Sequence, residues 1–504
     1  MTHRRSFLRL AGGAAALGSL SPLGFLGGLP TVSAEEARIG PEGVRLHAGI
    51  EPLVRLLEDT PRERVIGEVA MRLRQGVTYP ELLAALLLAG VRNIQPRPVG
   101  FKFHAVLVVN SAHLASMASS DRDRWLPIFW AIDQFKSSQA QDRAQGDWTL
   151  APVDESRVPP AHRARQAFIE AMENWDEAAA DVAIAGLART AGAHELFDLF
   201  CRLGVRDFRD IGHKAIYVAN SFRTLEVIGW HHAEPVLRSL AYALLDRGND
   251  PGNPARSDYA ADRPFRSNLP RLREFPASWL AGRRSPEAAR HLIDALRTAS
   301  PEEAGDHVVR EVRGGIAPES LFEACLAAAG ERMIRAPGIV SLHAVTFTNA
   351  VLYAWTRCSD PATRRLLLLQ NASFLPLFRG TPREGGVRID DFQPLPLEAT
   401  APEQGLDEVF AEIGNDRLRA CRKLLAWLET HADSDRVARA ARHWIFLKGR
   451  NSHDYKFSSA VLEDLVHLGP ALRHRFLASS LFYFRGPSDP DNPLTRQTQA
   501  ALAS

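Results

Sequence analysis

The stretch that decides the fold is "SLHAVTFTNAVLYAW", residues 341–355, which places a histidine near the start of an apolar run. Related stretches are "KFHAVLVVNSAHLAS" (102–116), "GHKAIYVANSFRTLEVI" (212–228) and, more loosely, "SHDYKFSSAVLEDL" (452–465). Apolar residues recur at helical spacing in all four, so each stretch predicts a helix that begins close to a histidine. The four histidines are His104, His213, His343 and His453.

Other segments recur around these histidine helices in the same order. A helix with a leading Glu and apolar residues is predicted at 78–93, 192–207 and 316–333, and a further helix follows the histidine helix at 124–133, 233–246, 361–374 and 469–480. The unit therefore contains three to five helices and has a period of about 110–130 residues. Gly90, Gly204 and Gly330 occupy equivalent positions, where we predict that glycine ends a helix in the left-handed conformation.

The recurring helices predict an all-α fold, since segments typical of strands are nearly absent. We expect four degenerate multi-helix repeats that form a curved α-solenoid or a closed α/α bundle. The predicted boundaries are 35–160, 161–285 with a long loop, 286–405 with a long loop, and 406–504, a shortened repeat with a tail. Irregular stretches at about 138–160, 247–285 and 379–405 follow equivalent helices, so they should project from one face.

The first 34 residues resemble a twin-arginine export signal. Arg4 and Arg5 precede a weakly apolar run, and "VSA" at 32–34 offers small residues for cleavage. The run is too short and too rich in Gly for a stable membrane span, although an uncleaved anchor is the alternative. We expect export by the twin-arginine translocase to a bacterial periplasm or beyond the cell, with no membrane span after cleavage.

Charge and cysteine usage narrow the function classes. The formal net charge is +2, and the 61 basic residues are scattered along the chain, so no nucleic-acid partner is predicted. The four cysteines form no C-x-x-C pair. An even number in an exported chain permits disulfides, but the apolar surroundings of Cys201 and Cys325 favour buried free thiols.

The histidine at a fixed place in each unit has two explanations. In the first, each imidazole makes a local hydrogen bond to the turn before its helix and is a structural device. In the second, the four converge on a transition metal or a haem, because neutral imidazole is a common metal ligand. The sequence alone leaves both open.

Polar residues near the histidines give weaker signals. Asn110, Asn220, Asn349 and Ser459 follow their histidines by six or seven positions, and a structural role is favoured for them. Asp207 and Asp210 precede His213 and could orient its ring, or could simply complement the helix dipole. The chain contains no H-E-x-x-H, G-x-S-x-G, phosphate-binding or dinucleotide-binding motif.

Three segments resemble the questin oxidase-like family, whose members are connected with oxidative cleavage of anthraquinone rings. They are "ELLAALLLAGV" followed by "FHAVLVV", "LHAVTFTNAVLYAW", and "HDYKFSSAVLEDL" with its H-x-x-K spacing. Tyr79, Pro80 and Glu81 stand where that family has a His-His pair, and an export signal is unexpected in it. The resemblance covers about four short helices, and it implies an all-α oxidoreductase.

The sequence thus predicts an exported, metal- or haem-dependent oxidoreductase that acts on an apolar or aromatic small molecule. The predicted cofactor is iron or another transition metal, or haem. The alternatives are a non-catalytic helical-repeat binding protein with structural histidines and a metal-dependent hydrolase. The predicted metal ligands are His104, His213, His343 and His453, and the aromatic residues expected to line the pocket are Phe103, Tyr217, Phe347 and Tyr455.

Overall fold

A computed structural model describes residues 43–503, except for residues 45, 122, 249, 251–253, 255 and 380–386. Within these residues the secondary structure is helical apart from one isolated bridge between Arg283 and Ile316. The predicted all-α class is therefore confirmed. The export signal predicted at 1–34 lies outside the described residues, as do parts of the loops predicted at 247–285 and 379–405.

The first half of the chain contains eleven of the α-helices, in the order that the sequence predicts. They are α1 (Glu51–Asp59), α2 (Arg62–Arg74), α3 (Tyr79–Asn93), α4 (His104–Leu107), α5 (Val109–Met117), α6 (Leu126–Ala144), α7 (Ala161–Asn174), α8 (Glu177–Thr190), α9 (Ala193–Gly204), α10 (His213–Ile228) and α11 (Ala233–Leu244).

The second half contains twelve α-helices among the described residues. Its helices are α12 (Arg263–Arg271), α13 (Pro286–Leu296), α14 (Pro301–Arg313), α15 (Pro318–Arg335), α16 (Ile339–Arg357), α17 (Pro361–Leu377), α18 (Pro402–Glu412), α19 (Arg417–His431), α20 (Ser434–Lys448), α21 (Ser452–Asp464), α22 (Pro470–Ser479) and α23 (Pro493–Ala503). Helix α12 lies inside the predicted loop at 247–285, and α6 extends into the one predicted at 138–160. The structural equivalence of the four units stays a prediction.

Polar caps explain where several of these helices begin. Thr78 accepts a hydrogen bond from the backbone N–H of Glu81 at the start of α3, and the Glu81 carboxylate accepts one from the backbone N–H of Thr78. Ser300 and Glu303 form the same reciprocal pair at the start of α14. Such caps satisfy backbone donors that have no partner inside the helix. These helix starts are therefore encoded locally.

The four histidine helices form a closed ring at the centre of the molecule. Helix α5 contacts α10, α10 contacts α16, α16 contacts α21, and α21 returns to contact α5. The short helix α4 leads into α5 with a break at Val108. These contacts bring the histidine ends of the four helices together, while the arrangement of the predicted repeats as a solenoid or a closed bundle stays a prediction.

All four central helices run in the same direction. Their histidines meet at the amino-terminal end, while polar contacts join the same helices further along. At that other end the amide of Asn349 donates to Asp464 Oδ1 over 3.0 Å. Asn110 donates to Asn220 Oδ1 over 3.4 Å, and Ser459 Oγ donates to the carbonyl of Ser111 over 3.0 Å. The ring is thus a parallel bundle with a histidine end and an amide end.

The prediction that Gly90, Gly204 and Gly330 adopt the left-handed conformation is wrong. None of them has a positive φ; Gly90 and Gly330 lie inside α3 and α15, and Gly204 is the last residue of α9. A Cβ on Gly90 would lie 2.8 Å from Cγ2 of Val106. A Cβ on Gly204 would lie at the same distance from Cγ2 of Val218. These glycines let the histidine helices pack closely against α3 and α9.

We expect Gly90→Ala to destabilise the protein by about 1–3 kcal/mol, because the added methyl group overpacks a rigid, β-branched neighbour. Gly67→Ala is the matched control. Gly67 is exposed in the middle of α2, and a Cβ added there would have nothing within 4 Å, so alanine should stabilise by about 0.5–1 kcal/mol. Thermal or urea unfolding of both variants checks this. Equal, stabilising effects of the two substitutions would contradict the packing role of Gly90.

Two further observations concern the sequence predictions. All four cysteines are buried free thiols, which confirms that expectation for Cys201 and Cys325.

Among the described residues, no helix combines the length and the apolar character that a membrane span requires.

Candidate metal centre

Three of the predicted histidines converge at the amino-terminal end of the central bundle. Nε2 of His213 lies 3.0 Å from Nε2 of His104 and 2.8 Å from Nε2 of His343. The potential metal-binding atoms of all three lie within 4.8 Å of one another, and among the described residues no other His, Cys, Asp or Glu group meets this criterion. The ring of helices therefore produces a cluster of three imidazoles, which we call the histidine triad.

Each imidazole of the triad is held by the turn that precedes it. Nδ1 of His104 lies 2.9 Å from the carbonyl oxygen of Phe101, and Nδ1 of His213 lies 2.7 Å from that of Asp210. Nδ1 of His343 lies 2.7 Å from the carbonyl oxygen of Ile339. A carbonyl oxygen only accepts, so Nδ1 must donate and must carry the proton. In a neutral ring Nε2 then has a free lone pair.

The triad is therefore an arrangement of lone pairs that face one another. Two neutral Nε2 acceptors at 2.8–3.0 Å repel each other unless a cation lies between them. Either a proton or a metal ion could fill that role. Donation of Nδ1–H to a backbone carbonyl is also the usual way in which proteins orient histidine ligands of metals.

Protonation of the triad is disfavoured by its surroundings. Burial is the main reason why the pKa values of His104, His213 and His343 lie well below the ordinary value for histidine. The positive charge of Lys456 lowers all three pKa values further. The rings are thus neutral near pH 7, which is the state that binds a metal.

The backbone before two of the histidines is held in unusual conformations. Phe101 and Ile211 have φ values of 47° and 52°, which cost free energy for residues other than glycine. Gly212, with φ 89°, packs so tightly that a Cβ would lie 2.6 Å from the ring of Phe347. Phe101 supplies the carbonyl that holds His104. Strain of this kind concentrates at functional sites, where the surrounding structure maintains it.

Buried ion pairs fix the same two turns. Nζ of Lys102 lies 2.7 Å from Asp142, and Nζ of Lys214 lies 2.8 and 2.9 Å from the two carboxylate oxygens of Asp207. Asp207 therefore pairs with Lys214 and does not orient His213. Asp210 does orient it, but through its backbone carbonyl rather than its carboxylate.

His453, the fourth predicted ligand, lies beside the triad and outside the group of three. Its ring centroid is 4.6 Å from that of His104 and 5.4 Å from that of His343. Its Nε2 is buried and has no hydrogen-bond partner among the described residues. Burial and the charge of Lys456 lower the pKa of His453 to about 3. His453 is thus a neutral neighbour of the triad.

Two further buried polar groups lie near the histidines, and neither was predicted from the sequence to be a ligand. Nζ of Lys456 and Oδ2 of Asp210 are buried, and neither has a hydrogen-bond partner among the described residues. Burial lowers the pKa of Lys456 to about 7 and raises that of Asp210 to about 7. The H-x-x-K spacing was the available signal for Lys456, because it places His453 and Lys456 one helical turn apart on the same face.

The aromatic residues predicted to line a pocket are core residues in the structure. Phe103 and Tyr217 pack edge to face with their centroids 4.9 Å apart, and Tyr217 donates to Ser239 on α11. Phe347 stacks on Phe374 of α17 at 4.0 Å, and Tyr455 lies 4.4 Å from Trp130 of α6, centroid to centroid. Phe347 and Tyr455 thus pack against helices that surround the central bundle, and Tyr217 is hydrogen-bonded to one of them.

The outer side of the triad carries exposed apolar side chains. His104 and His453 are partly accessible, whereas His213 and His343 are buried. Phe101 is 79% exposed and Ile339 is 50% exposed. Because their carbonyls hold His104 and His343, both residues must lie close to the rings. The surface next to the triad thus includes two exposed apolar residues.

The nitrogen separations are compatible with a bare metal ion. Adjacent ligands of an octahedral ion with metal–nitrogen bonds of about 2.1 Å lie about 3.0 Å apart, and those of a tetrahedral ion about 3.4 Å apart. The observed 2.8 and 3.0 Å lie near these values and do not separate the two geometries. They are too short for a haem between His213 and either of the other two rings, since its two axial nitrogens would lie about 4 Å apart.

Comparisons with known proteins add no relative. No protein-family model matches the chain, and no curated protein or solved structure matches it.

Proposed function

We propose that this chain is an exported oxidoreductase that uses iron or another transition metal, held by the histidine triad, to act on an apolar or aromatic small molecule. The observation that carries the proposal is the convergence of three Nε2 lone pairs in rings whose Nδ1 protons are fixed by backbone carbonyls. A transition metal at this place would supply redox and Lewis-acid chemistry. Export by the twin-arginine route remains part of the proposal.

The chain's own residues would bind and orient. His104, His213 and His343 would provide three neutral ligands, a number that leaves room for a ligand from outside the chain. Phe101 and Ile339, whose carbonyls hold two of these rings, are exposed apolar residues near the site. Imidazole ligands suit iron, nickel, copper and zinc alike, so the identity of the bound metal distinguishes the oxidoreductase from the hydrolase.

The orphaned polar atoms argue against a purely structural role for the histidines. A histidine that served only to hold its own turn would be satisfied by its Nδ1 contact and would need no facing lone pairs. Here Nε2 of His453, Nζ of Lys456 and Oδ2 of Asp210 are buried around the triad, each without a hydrogen-bond partner among the described residues. Buried polar atoms without protein partners are costly, so these three are available to a ligand or to water at the triad.

Metal uptake tests the proposal. Untagged protein that has been stripped with a chelator should bind one equivalent of Co²⁺ or Fe²⁺, and the cobalt form should absorb visible light. The iron form should undergo reversible oxidation and reduction. Uptake of less than about a tenth of an equivalent would contradict the proposal and would leave the non-catalytic repeat protein as the better account. Uptake of zinc alone, with no redox activity of the iron form, would favour the hydrolase.

A further inference from the structure

Lys456 occupies a position that is apolar or uncharged in the other three central helices. Three residues after each histidine, the bundle has Leu107, Ile216, Thr346 and Lys456, one helical turn below the imidazoles. The lysine side chain is only 3% exposed, and its Nζ has no hydrogen-bond partner among the described residues. A single buried amino group therefore lies in this layer, and an anion bound beside it would favour its charged, ammonium form.

Lys456 lies on the same face of α21 as His453, one helical turn further along. The ring of His453 lies 4.6 Å from that of His104, centroid to centroid, and the charge of Lys456 contributes to the lowered pKa of all four histidines. The charge of Asp210 acts on Lys456, yet the two form no ion pair among the described residues. Buried charges in proteins are normally paired and hydrogen-bonded. Among the described residues, Lys456 thus lacks the paired carboxylate that a buried ammonium group normally has.

The side of Lys456 away from the triad offers little space. A cavity there is lined by Lys456, Asn220, Arg223 and Asn349, and its volume is about 10 Å³. That is about the space that one water molecule requires. This cavity is too small for an organic acid, so an organic acid that bound Lys456 would lie on the histidine side.

The helix ends at the triad also favour negative charge. Helices α10, α16 and α21 contain 16, 19 and 13 residues, and all three direct their amino-terminal ends toward the histidines. The amino-terminal end of a helix carries a partial positive charge. Together with the ammonium group, these three ends make the site more favourable for an anion than for a neutral molecule.

We propose that the site binds an oxyanion, the carboxylate or enolate of an apolar small molecule, with its oxygen atoms between the metal and the ammonium group of Lys456. This inference rests on the proposed function, because it assumes a metal at the histidine triad. It names the substrate class: an acid or enol whose remaining atoms are apolar and contact Phe101 and Ile339. Lys456 binds and orients the anion.

Anion binding to the cobalt-loaded protein tests the inference through the visible spectrum. Acetate should change the cobalt absorption of the wild type in a saturable way, whereas acetamide, its neutral isostere, should not. Lys456→Met should keep one equivalent of cobalt and bind acetate about 10- to 100-fold more weakly, the loss expected for a hydrogen bond to a charged group. Thr346→Val is the control, because Thr346 lies in the same layer and carries no charge; its acetate affinity should be unchanged.

Several results would overturn the inference. Equal acetate affinity of Lys456→Met and the wild type would remove Lys456 from the anion site, while cobalt uptake would still support the proposed function. Equal binding of acetate and acetamide to the wild type would show that charge is not recognised, and this comparison needs no variant. If Lys456→Met does not fold, Lys456→Gln replaces it. If the wild type takes up no cobalt, both proposals fail together.

Discussion

Replacing His213 with glutamine should weaken metal binding by more than about 100-fold. Removing a residue that only hydrogen-bonds to a metal ligand costs up to about 100-fold, and His213 is itself a proposed ligand. His213 should give the largest effect of the three, because its Nε2 is within 3.0 Å of both other rings, and its removal leaves only two ligands. Competition with a chelator of known affinity measures the change.

Two matched controls make this result specific. His453→Gln removes a neighbouring imidazole that is not part of the triad, so it should bind metal within about tenfold of the wild type. His113→Gln removes a histidine whose Nδ1 contacts Tyr79, away from the site, and should leave affinity unchanged. If His453→Gln lost as much affinity as His213→Gln, the centre would have four ligands. Unchanged affinity of His213→Gln would contradict the triad.

Lys214→Met should destabilise the protein by about 3–5 kcal/mol, the typical cost of leaving one member of a buried ion pair without its partner. Lys214 is fully buried, and its Nζ binds both carboxylate oxygens of Asp207 and the carbonyl oxygen of Asp246. The substitution leaves the Asp207 carboxylate buried and unpaired. Urea unfolding at pH 7 of the wild type and the variant measures the difference in unfolding free energy.

Lys448→Met is the control for this effect. Lys448 also forms an ion pair, over 2.7 Å, but its partner Asp491 is largely exposed to solvent. Water can solvate Asp491 after the substitution, so we expect a loss of under about 1 kcal/mol. If both variants lost a similar amount of unfolding free energy, burial would not explain how much the Lys214–Asp207 pair contributes to stability.

The helices could be predicted from the sequence because their signals are local. Apolar spacing identified α3, α9 and α15 as well as the four histidine helices, and caps such as Thr78 are set by neighbouring residues. Closure of the ring could not be predicted, since it depends on packing between distant parts of the chain. The role of Gly90 was misjudged for the same reason: its constraint comes from Val106 on another helix.

The candidate site was predictable in part. Repetition pointed to His104, His213 and His343, and the structure shows that the two explanations are compatible: Nδ1 binds the preceding turn while Nε2 converges. Repetition could not distinguish His453 from the three histidines of the triad. It has the same position in its helix, but it lies beside the triad. Lys456 appeared only in the H-x-x-K spacing and was given no role, because it departs from the repeated pattern.

X-ray absorption spectroscopy of the metal-loaded, untagged protein tests the central claim most directly. The account predicts three imidazole nitrogens at about 2.0–2.2 Å from the metal in the wild type. In His213→Gln any residual metal should show fewer imidazoles. A spectrum of the loaded wild type with only water or carboxylate oxygens around the metal would contradict the account.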